Sequence, residues 1–545
     1  MRLLERRIGL LFALFLGLLV LAGFRATWLV AFQGDDLRGR AAEQQVQELV
    51  VPARRGAITD RNGRELAVTE DAATVSANPK QVTNPGVAAH RLSAALKLPL
   101  DDLLRKLSDR RAGFVYLARK VDAAKGDAVR KLELPGISVT TEHRRRYPHG
   151  KLASQLVGSV GTDGYGLAGI EQSLEKRLHG SDGKRRIVSD ALGDPVSIVD
   201  LEQARPGQDV RLTIDSAIQE RVESVLDGVG RTFQPKGATA LVLDPRNGEI
   251  LSLANWPPVN ADRFGDAPAY ARQNRAVGAS YEPGSTFKPF TVAGAMSEKL
   301  VNPSTLFHLG PTIQVADRVI KESHGGGGGT LTTADVLAQS SNVGTVTIGL
   351  RLGGKRFDRW VRRFGFGGST GVDIPGEASG IVPKPEQYSG SSMGNLPIGQ
   401  GLAVTPMQMA AGYEAIANRG VIHPPHVIQG EGGKPRRVVS TRVANQVSRM
   451  LEGVLGAGGT AQEAKIDGYV LAGKTGTAEK AENGGYSKTK YVASFIGYAP
   501  ARKPRLLVAV MVDEPKGQIY GGQVAAPAFQ KIASFALPYL RIPPG

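Results

Sequence analysis

The 545-residue chain contains no cysteine. Thiol nucleophiles, thiolate metal sites and disulfides are therefore excluded, and any exported part must rest on its packed cores. Its eight histidines show no metal-ligand spacing such as His-Glu-x-x-His, so no metal and no other cofactor is expected. A long apolar run occurs at the N-terminus and nowhere later at a length that could span a bilayer. The glycines between Gly161 and Glu171 lack a following Gly-Lys-Ser/Thr, so they read as tight turns, not as a phosphate loop. The formal charge is +17, but the basic residues are scattered. That pattern fits a solvated surface near anionic head groups and polymers better than a nucleic-acid interface.

The chain begins with an anchor. Ile8 to Phe24 carries no charge, Arg25 interrupts, and Ala26 to Phe32 is mostly apolar again. The stretch can cross a bilayer, which takes about 20 residues, if Arg25 snorkels to the interface. Arg2, Arg6 and Arg7 precede it, which keeps the N-terminus inside and exports the chain beyond about residue 35. The rival is a cleaved signal peptide. Its apolar core would be shorter, about 7–15 residues, and no Ala-x-Ala site comes right after the run. A chain of this length exceeds one core, and two or three domains are expected.

Residues 35–50 read as a polar, helix-prone stalk. Asn62-Gly63 between short apolar runs predicts a hairpin, because both tolerate positive φ. Residues 85–133 alternate at helical spacing until Pro135-Gly136 breaks the pattern. Val210 to Ile214 is strand-like, and Asp215 can N-cap a helix to about Leu226. Two strands, Ala238 to Leu243 and Ile250 to Ala254, flank the turn at Asp244 to Gly248. Helices are expected from Ser285 to about Met450, interrupted by the five-glycine run Gly325 to Gly329, read as a mobile loop leading to a Ser340 helix. Three strands close the chain: Tyr469 to Thr477, Tyr491 to Tyr498 and Leu506 to Val512. The sum is an α+β multidomain chain whose C-terminal domain is an antiparallel sheet with helices on both faces.

Three strings occur in a fixed order: Ser285-Thr286-Phe287-Lys288, Ser340-Ser341-Asn342 and Lys474-Thr475-Gly476. Each alone is weak. Ser-x-x-Lys recurs at Ser173, Ser181 and Ser487, and Ser-x-Asn recurs at Ser76. Together they supply the groups that acyl transfer through a serine ester needs. Ser285 would sit at a helix N-terminus, where free N–H groups favour negative charge. Lys288 lies on the same face and can take the Ser285 proton if burial, or a neighbouring charge such as Lys474, lowers its pKa. Ser340 can relay a proton between Lys288 and a leaving amine. Asn342 can hold a substrate peptide group and bond Lys288. Lys474, Thr475 and Thr477 suit a terminal carboxylate at the end of a strand that can pair with an extended peptide, and Gly476 leaves room for close approach. The backbone N–H groups of Ser285 and Thr477 would form the oxyanion hole.

At these residues the chain resembles the penicillin-binding protein transpeptidases. Arg55-Gly56-x-Ile58-x-Asp60-Arg61-Asn62-Gly63 and the stretch from Tyr147-Pro148 to Glu171 look like the non-catalytic pedestal of the class B members. Tyr491 to Pro500, Asp513-Glu514-Pro515-Lys516-Gly517 and Tyr520-Gly521-Gly522 resemble the division-specific, FtsI-type proteins. The resemblance implies residues 1–34 as cytoplasmic tail and transmembrane anchor, 35–230 as an elongated mixed α/β pedestal, and 231–545 as the transpeptidase domain. It also implies cross-linking of peptidoglycan stem peptides through an acyl-enzyme on Ser285, an amine acceptor, covalent inhibition by β-lactams and work at the septum. The implied partners are an FtsW-type membrane glycosyltransferase and other divisome membrane proteins, at the cytoplasmic membrane. The alternatives are a D,D-carboxypeptidase or β-lactamase-like hydrolase, an elongation- or sporulation-type paralogue, and a non-catalytic sensor or scaffold.

Overall fold

The computed structural model describes residues 2–189, 195–323, 328–482 and 484–544. By contacts the chain divides into two compact units, Met1–Arg54 with His179–Gly207, and Arg55–Leu178 with Gln208–Gly545.

The first unit opens with one helix, Arg2–Gln45. Its segment Arg7–Leu29 has a mean hydropathy of 2.3 and is long and apolar enough to cross a membrane. Leu10, Phe12, Leu21 and Phe24 are exposed along it, and the Arg25 guanidinium lies 5.0 Å over the Trp28 ring. The expected stalk is helical only to Gln45. Val46–Val51 then forms a strand, because its three valines favour extended backbone and the segment finds a partner. That partner is Gly183–Ser189, the middle strand of an antiparallel three-stranded sheet completed by Pro195–Glu202.

In the second unit the Asn62-Gly63 hairpin forms as predicted. Ile58–Thr59 pairs with Glu65–Ala77, Gly63 takes φ 88, and Asp60 Oδ1 accepts from the N–H groups of Asn62 and Arg64 at 2.8 Å. The helical pattern after residue 85 yields three helices, Pro85–Leu96, Leu100–Ser108 and Ala123–Arg130, but also a strand, Val115–Asp122. That strand is not legible in the sequence, because its Leu-Ala-Arg-Lys centre carries little β-branched character; pairing with Glu65–Ala77 decides it. Buried Glu171 fastens the surrounding loops. It accepts from Arg55 Nε and Arg145 Nε, both at 2.6 Å. Gly164 takes positive φ in a turn, and Gly169 takes it at the start of the short helix Gly169–Ser173.

Asp215 caps the helix Ser216–Phe233 by accepting from Ala217 N at 3.1 Å and Ile218 N at 3.3 Å. The helix runs past the expected end at Leu226 because Val225, Leu226 and Val229 continue its buried face. The central sheet has five antiparallel strands, Gly237–Leu243, Ile250–Trp256, Ala472–Glu482, Gly485–Ala499 and Leu506–Asp513. In space Ile250–Trp256 is one edge, followed by Gly237–Leu243, Leu506–Asp513, Gly485–Ala499 and the other edge, Ala472–Glu482. Helices cover both faces. Phe495 packs edge-on against Phe529 of Ala526–Tyr539 at 4.8 Å, and Tyr498 on the opposite face donates to Ser448 of Thr441–Glu452 at 2.9 Å. Among the described residues the interval from Ser285 to Met450 holds the expected helices but also six short strands: Leu306–Leu309, Thr312–Val315, Arg318–Lys321, Gly329–Thr332, Val421–Ile422 and Arg436–Arg437. Of the glycine run, Gly325 to Gly327 lie outside the described residues, and Gly329 starts a strand paired with Leu306–Leu309.

Candidate active site

Ser285 sits on a short turn that the local sequence makes stiff. Gly284 takes φ 52, a left-handed angle that glycine adopts without strain. A Cβ there would lie 3.1 Å from Ala478 Cβ. A 3₁₀ turn, Gly284–Phe287, feeds the helix Lys288–Ser297. Thr286 Oγ1 donates to the Pro283 carbonyl at 2.7 Å, and Tyr413 Oη donates to the Thr286 carbonyl at 2.7 Å. Phe287 and Phe290 meet edge to face at 5.4 Å beneath it. Ser285 therefore stands on a turn held from both sides and lines a cleft of 480 Å³.

Lys288 has no solvent exposure. Its Nζ donates to the Ser340 carbonyl at 2.6 Å, Asn342 Oδ1 at 2.7 Å and Ser340 Oγ at 3.3 Å. Burial pushes its pKa down to about 7, against the opposing pull of Glu322. The sequence offered the charge of Lys474 as an alternative cause; in the structure burial alone lowers it. Lys474 itself is held well below the usual lysine value, by burial first and by the charge of Lys288 second.

Ser340 lies in no helix. It occupies the corner between Thr333–Ala338 and Asn342–Leu352, with φ 62. Such an angle is uncommon for a side-chain-bearing residue. The corner carries both of its contacts to Lys288. Asn342 is braced by Nδ2 bonds to the Lys321 carbonyl at 2.9 Å and Ser323 Oγ at 3.1 Å. Glu322 accepts from Asn342 N at 2.6 Å and Val343 N at 3.3 Å, closing the start of that helix. No local pattern marks Glu322, because its partners lie about twenty residues on.

Lys474-Thr475-Gly476-Thr477 does not end its strand, which continues to Glu482 because the longer partner Gly485–Ala499 extends the ladder. The strand is an edge, as expected. Lys474 is fully buried behind the cleft wall, donating to the Thr475 carbonyl at 3.2 Å and Thr475 Oγ1 at 3.4 Å. Thr475, Thr477 and Glu479, at period-two spacing, are the strand residues that line the cleft. Thr475 Oγ1 is 2.7 Å from Thr460 Oγ1, and Thr477 Oγ1 accepts from Gly521 N at 3.0 Å. The need for Gly476 is internal. A Cβ there would meet Ser494 Oγ at 2.5 Å, Thr286 Cγ2 at 2.9 Å and the Pro283 carbonyl at 3.0 Å. The missing side chain lets the Ser285 turn press against the edge strand.

The fold thus gathers Ser285, Ser340, Asn342, Thr475 and Thr477 around one cleft, with Lys288 and Lys474 beneath its surface. The other Ser-x-x-Lys strings, at Ser173, Ser181 and Ser487, do not line it. Among the described residues no cluster of His, Asp and Glu is placed to hold a metal ion.

Comparison with known proteins agrees with this geometry. Residues 238–534 match the penicillin binding protein transpeptidase domain, and residues 50–212 match the penicillin-binding protein dimerisation domain. Stage V sporulation protein D of Bacillus subtilis is 34% identical over 559 residues, covering 98% of this chain and 86% of that protein. Peptidoglycan D,D-transpeptidase FtsI of Escherichia coli is 33% identical over 545 residues, covering 98% and 92%. Among solved structures, penicillin binding protein 3 of Mycobacterium tuberculosis complexed with aztreonam superposes with a TM-score of 0.71 at 31% identity, covering 91% of this chain and 98% of that one.

Proposed function

Because the chain belongs to the class B, division-type penicillin-binding proteins, we propose that Ser285 is the nucleophile of its peptidoglycan D,D-transpeptidase reaction and Lys288 the base that activates it. The observation that carries this is the buried Lys288 ammonium, held by Ser340 and Asn342 at 2.6–3.3 Å beside the cleft that Ser285 lines. A lysine pushed down to about 7 is substantially neutral near neutral pH, as a proton acceptor must be.

In this reading the donor peptide lies along the free edge of Ala472–Glu482, pairing by its backbone. The hydroxyls of Thr475 and Thr477 receive its terminal carboxylate, with the Lys474 charge beneath them. Ser285 Oγ attacks the carbonyl between the two terminal D-alanines and its proton passes to Lys288. The backbone N–H groups of Ser285 and Thr477 take the developing oxyanion. The C–N bond breaks, and Ser340 relays a proton to the departing D-alanine. A neutral amine of a neighbouring stem then attacks the ester carbonyl; the new C–N bond forms, the C–Oγ bond breaks, and the amine's proton returns to Ser285 Oγ. Aztreonam is bound by the mycobacterial relative. The same nucleophile supports covalent inhibition by β-lactams here.

The remaining assignments are proposals of the same kind. Residues 1–34 form the tail and anchor, 35–230 the pedestal and 231–545 the transpeptidase domain. The helix Arg7–Leu29 crosses the cytoplasmic membrane once, with the N-terminus inside, supported by the arginines before it. The setting is septal wall synthesis beside an FtsW-type membrane glycosyltransferase and other divisome membrane proteins.

The test is covalent labelling with a fluorescent penicillin, comparing the full chain with Ser285→Ala on a denaturing gel. The expected result is a band that lasts for hours and is missing from the variant. A label that fades fast with antibiotic turnover would replace the transpeptidase by a hydrolase. No label on folded protein would end the reading.

A further inference from the structure

The basic residues that look scattered in the sequence are partly gathered by the fold. A cavity of 760 Å³ lies against the turn that joins Gly485–Ala499 to Leu506–Asp513. Arg502, Lys503 and Arg505 line it from that turn, Arg449 from the helix Thr441–Glu452, and Arg419 from just beyond the helix Pro406–Ala417. Arg246 completes the basic lining, and Glu452 is the single acid in it. Arg246 is already paired with Asp244, Nε to Oδ1 at 2.9 Å. The other five are not: among the described residues none of their side chains makes a salt bridge or a hydrogen bond.

Another basic cavity of the same chain is built differently. It measures 540 Å³ and is lined by Arg119, Arg144, Arg145 and Arg146. There every arginine has a carboxylate partner within the chain: Glu142, Asp122, Glu171 and Glu70 in turn. The 760 Å³ cavity leaves its charge unneutralised, although like charges held close repel. The fold also keeps the group from dispersing. Ser448 Oγ donates to the Ala501 carbonyl at 3.3 Å, Ala501 N to the Val470 carbonyl at 2.7 Å, and Arg505 N to the Ala499 carbonyl at 3.0 Å. Turn and helix are thus locked together with unpaired cations on their shared surface. The volume falls within the range of about 300–1,000 Å³ that holds a small ligand. Four of the five cations are arginines, whose planar forks match the paired oxygens of an oxyanion. Linked phosphoryl groups carry a charge on every unit with free oxygens to share, so a short row of them meets several forks at once.

We propose that this cavity binds a soluble ligand bearing several phosphoryl groups in a row, held by Arg419, Arg449, Arg502, Lys503 and Arg505. The site is separate from the catalytic cleft, since no residue lines both. It stands whether or not the transpeptidase reading does.

The probe is inorganic tripolyphosphate, titrated by calorimetry into the full chain in neutral detergent, with citrate as the carboxylate comparison. Tripolyphosphate should bind, less tightly as salt is raised, and citrate should bind more weakly. Equal affinities overturn the phosphoryl assignment, and no binding of tripolyphosphate overturns the site. Arg449→Gln combined with Arg502→Gln should weaken tripolyphosphate roughly tenfold or more, as the loss of two charge-assisted contacts implies, and leave penicillin labelling unchanged. Lys355→Gln combined with Arg356→Gln removes two exposed cations from the helix Gly354–Arg363 and should leave the affinity as it was. Equal losses from the two pairs mean attraction by net charge alone and overturn the proposal. If the first pair does not fold, phenylglyoxal modification of the native chain, mapped by mass spectrometry, decides. Tripolyphosphate should shield Arg449 and Arg502 and leave Arg356 reactive; no selective shielding overturns the proposal. Shielding by phosphatidylglycerol added to the detergent, but not by tripolyphosphate, would put a single-phosphate lipid head group there and overturn it too.

Discussion

Lys288 and Lys474 are both fully buried, yet they differ in their surroundings. Lys288 reaches three oxygens that belong to the Ser340 corner, and burial brings its pKa to about 7. The acylation rate should therefore follow its neutral form. Roughly a tenth is neutral one pH unit below that value and roughly nine tenths one unit above. The penicillin acylation rate constant is expected to climb between pH 6 and 8 and then level off, measured by stopped-flow or timed gel labelling. A flat profile over that range would remove Lys288 as the base. Lys474 reaches only the carbonyl and hydroxyl of Thr475. Lys474→Met should therefore weaken a substrate or inhibitor carboxylate more than it slows the ester chemistry, which a KM-against-kcat comparison on a donor peptide ending in D-alanyl-D-alanine reads out.

The elements around the site carry their own liabilities. The helix Pro406–Ala417 is buried along its whole length and supports the Ser285 turn through Tyr413. It also buries Glu414, which accepts from His423 N at 2.7 Å and has an unpartnered second oxygen. Burial raises the Glu414 pKa from 4.5 to about 7. A group with a raised folded pKa gives stability that is complete below the unfolded value and is lost as pH rises through the folded one. The chain should thus lose thermal stability from about pH 5 to above pH 7, and Glu414→Gln should flatten that loss. Equal slopes for the two proteins in melting experiments would refute it. At the other side of the sheet, Asp215→Ala removes the cap of Ser216–Phe233, and a cap of this kind is worth about 1 kcal/mol. Denaturant unfolding would show a lower midpoint at unchanged slope.

At the scale of the molecule the anchor is separable from the chemistry. Arg7–Leu29 has no buried residue, and every residue assigned to the site lies in the second compact unit. Removing residues 1–35 should move the protein from the membrane to the soluble fraction while penicillin labelling persists; loss of labelling in folded protein would tie the anchor to the site. Much of this was legible in the sequence alone. The anchor, the Asn62-Gly63 hairpin, the Asp215 cap and the five strands follow from apolar run length, φ tolerance, capping and alternation, all of which act over a few residues. The three strings that meet at the cleft were legible too, because their order and spacing are linear. Tertiary structure alone decided the rest. It turned Val115–Asp122 into a strand by giving it a partner. It put Lys474 behind the wall and Thr475, Thr477 and Glu479 on it, since which face of a strand meets a cleft depends on the elements packed against the other. It also recruited Glu322, Tyr413 and Thr460, whose contacts reach across fifteen to more than a hundred residues. Burial, which lowers Lys288, exists only once distant segments close over a side chain.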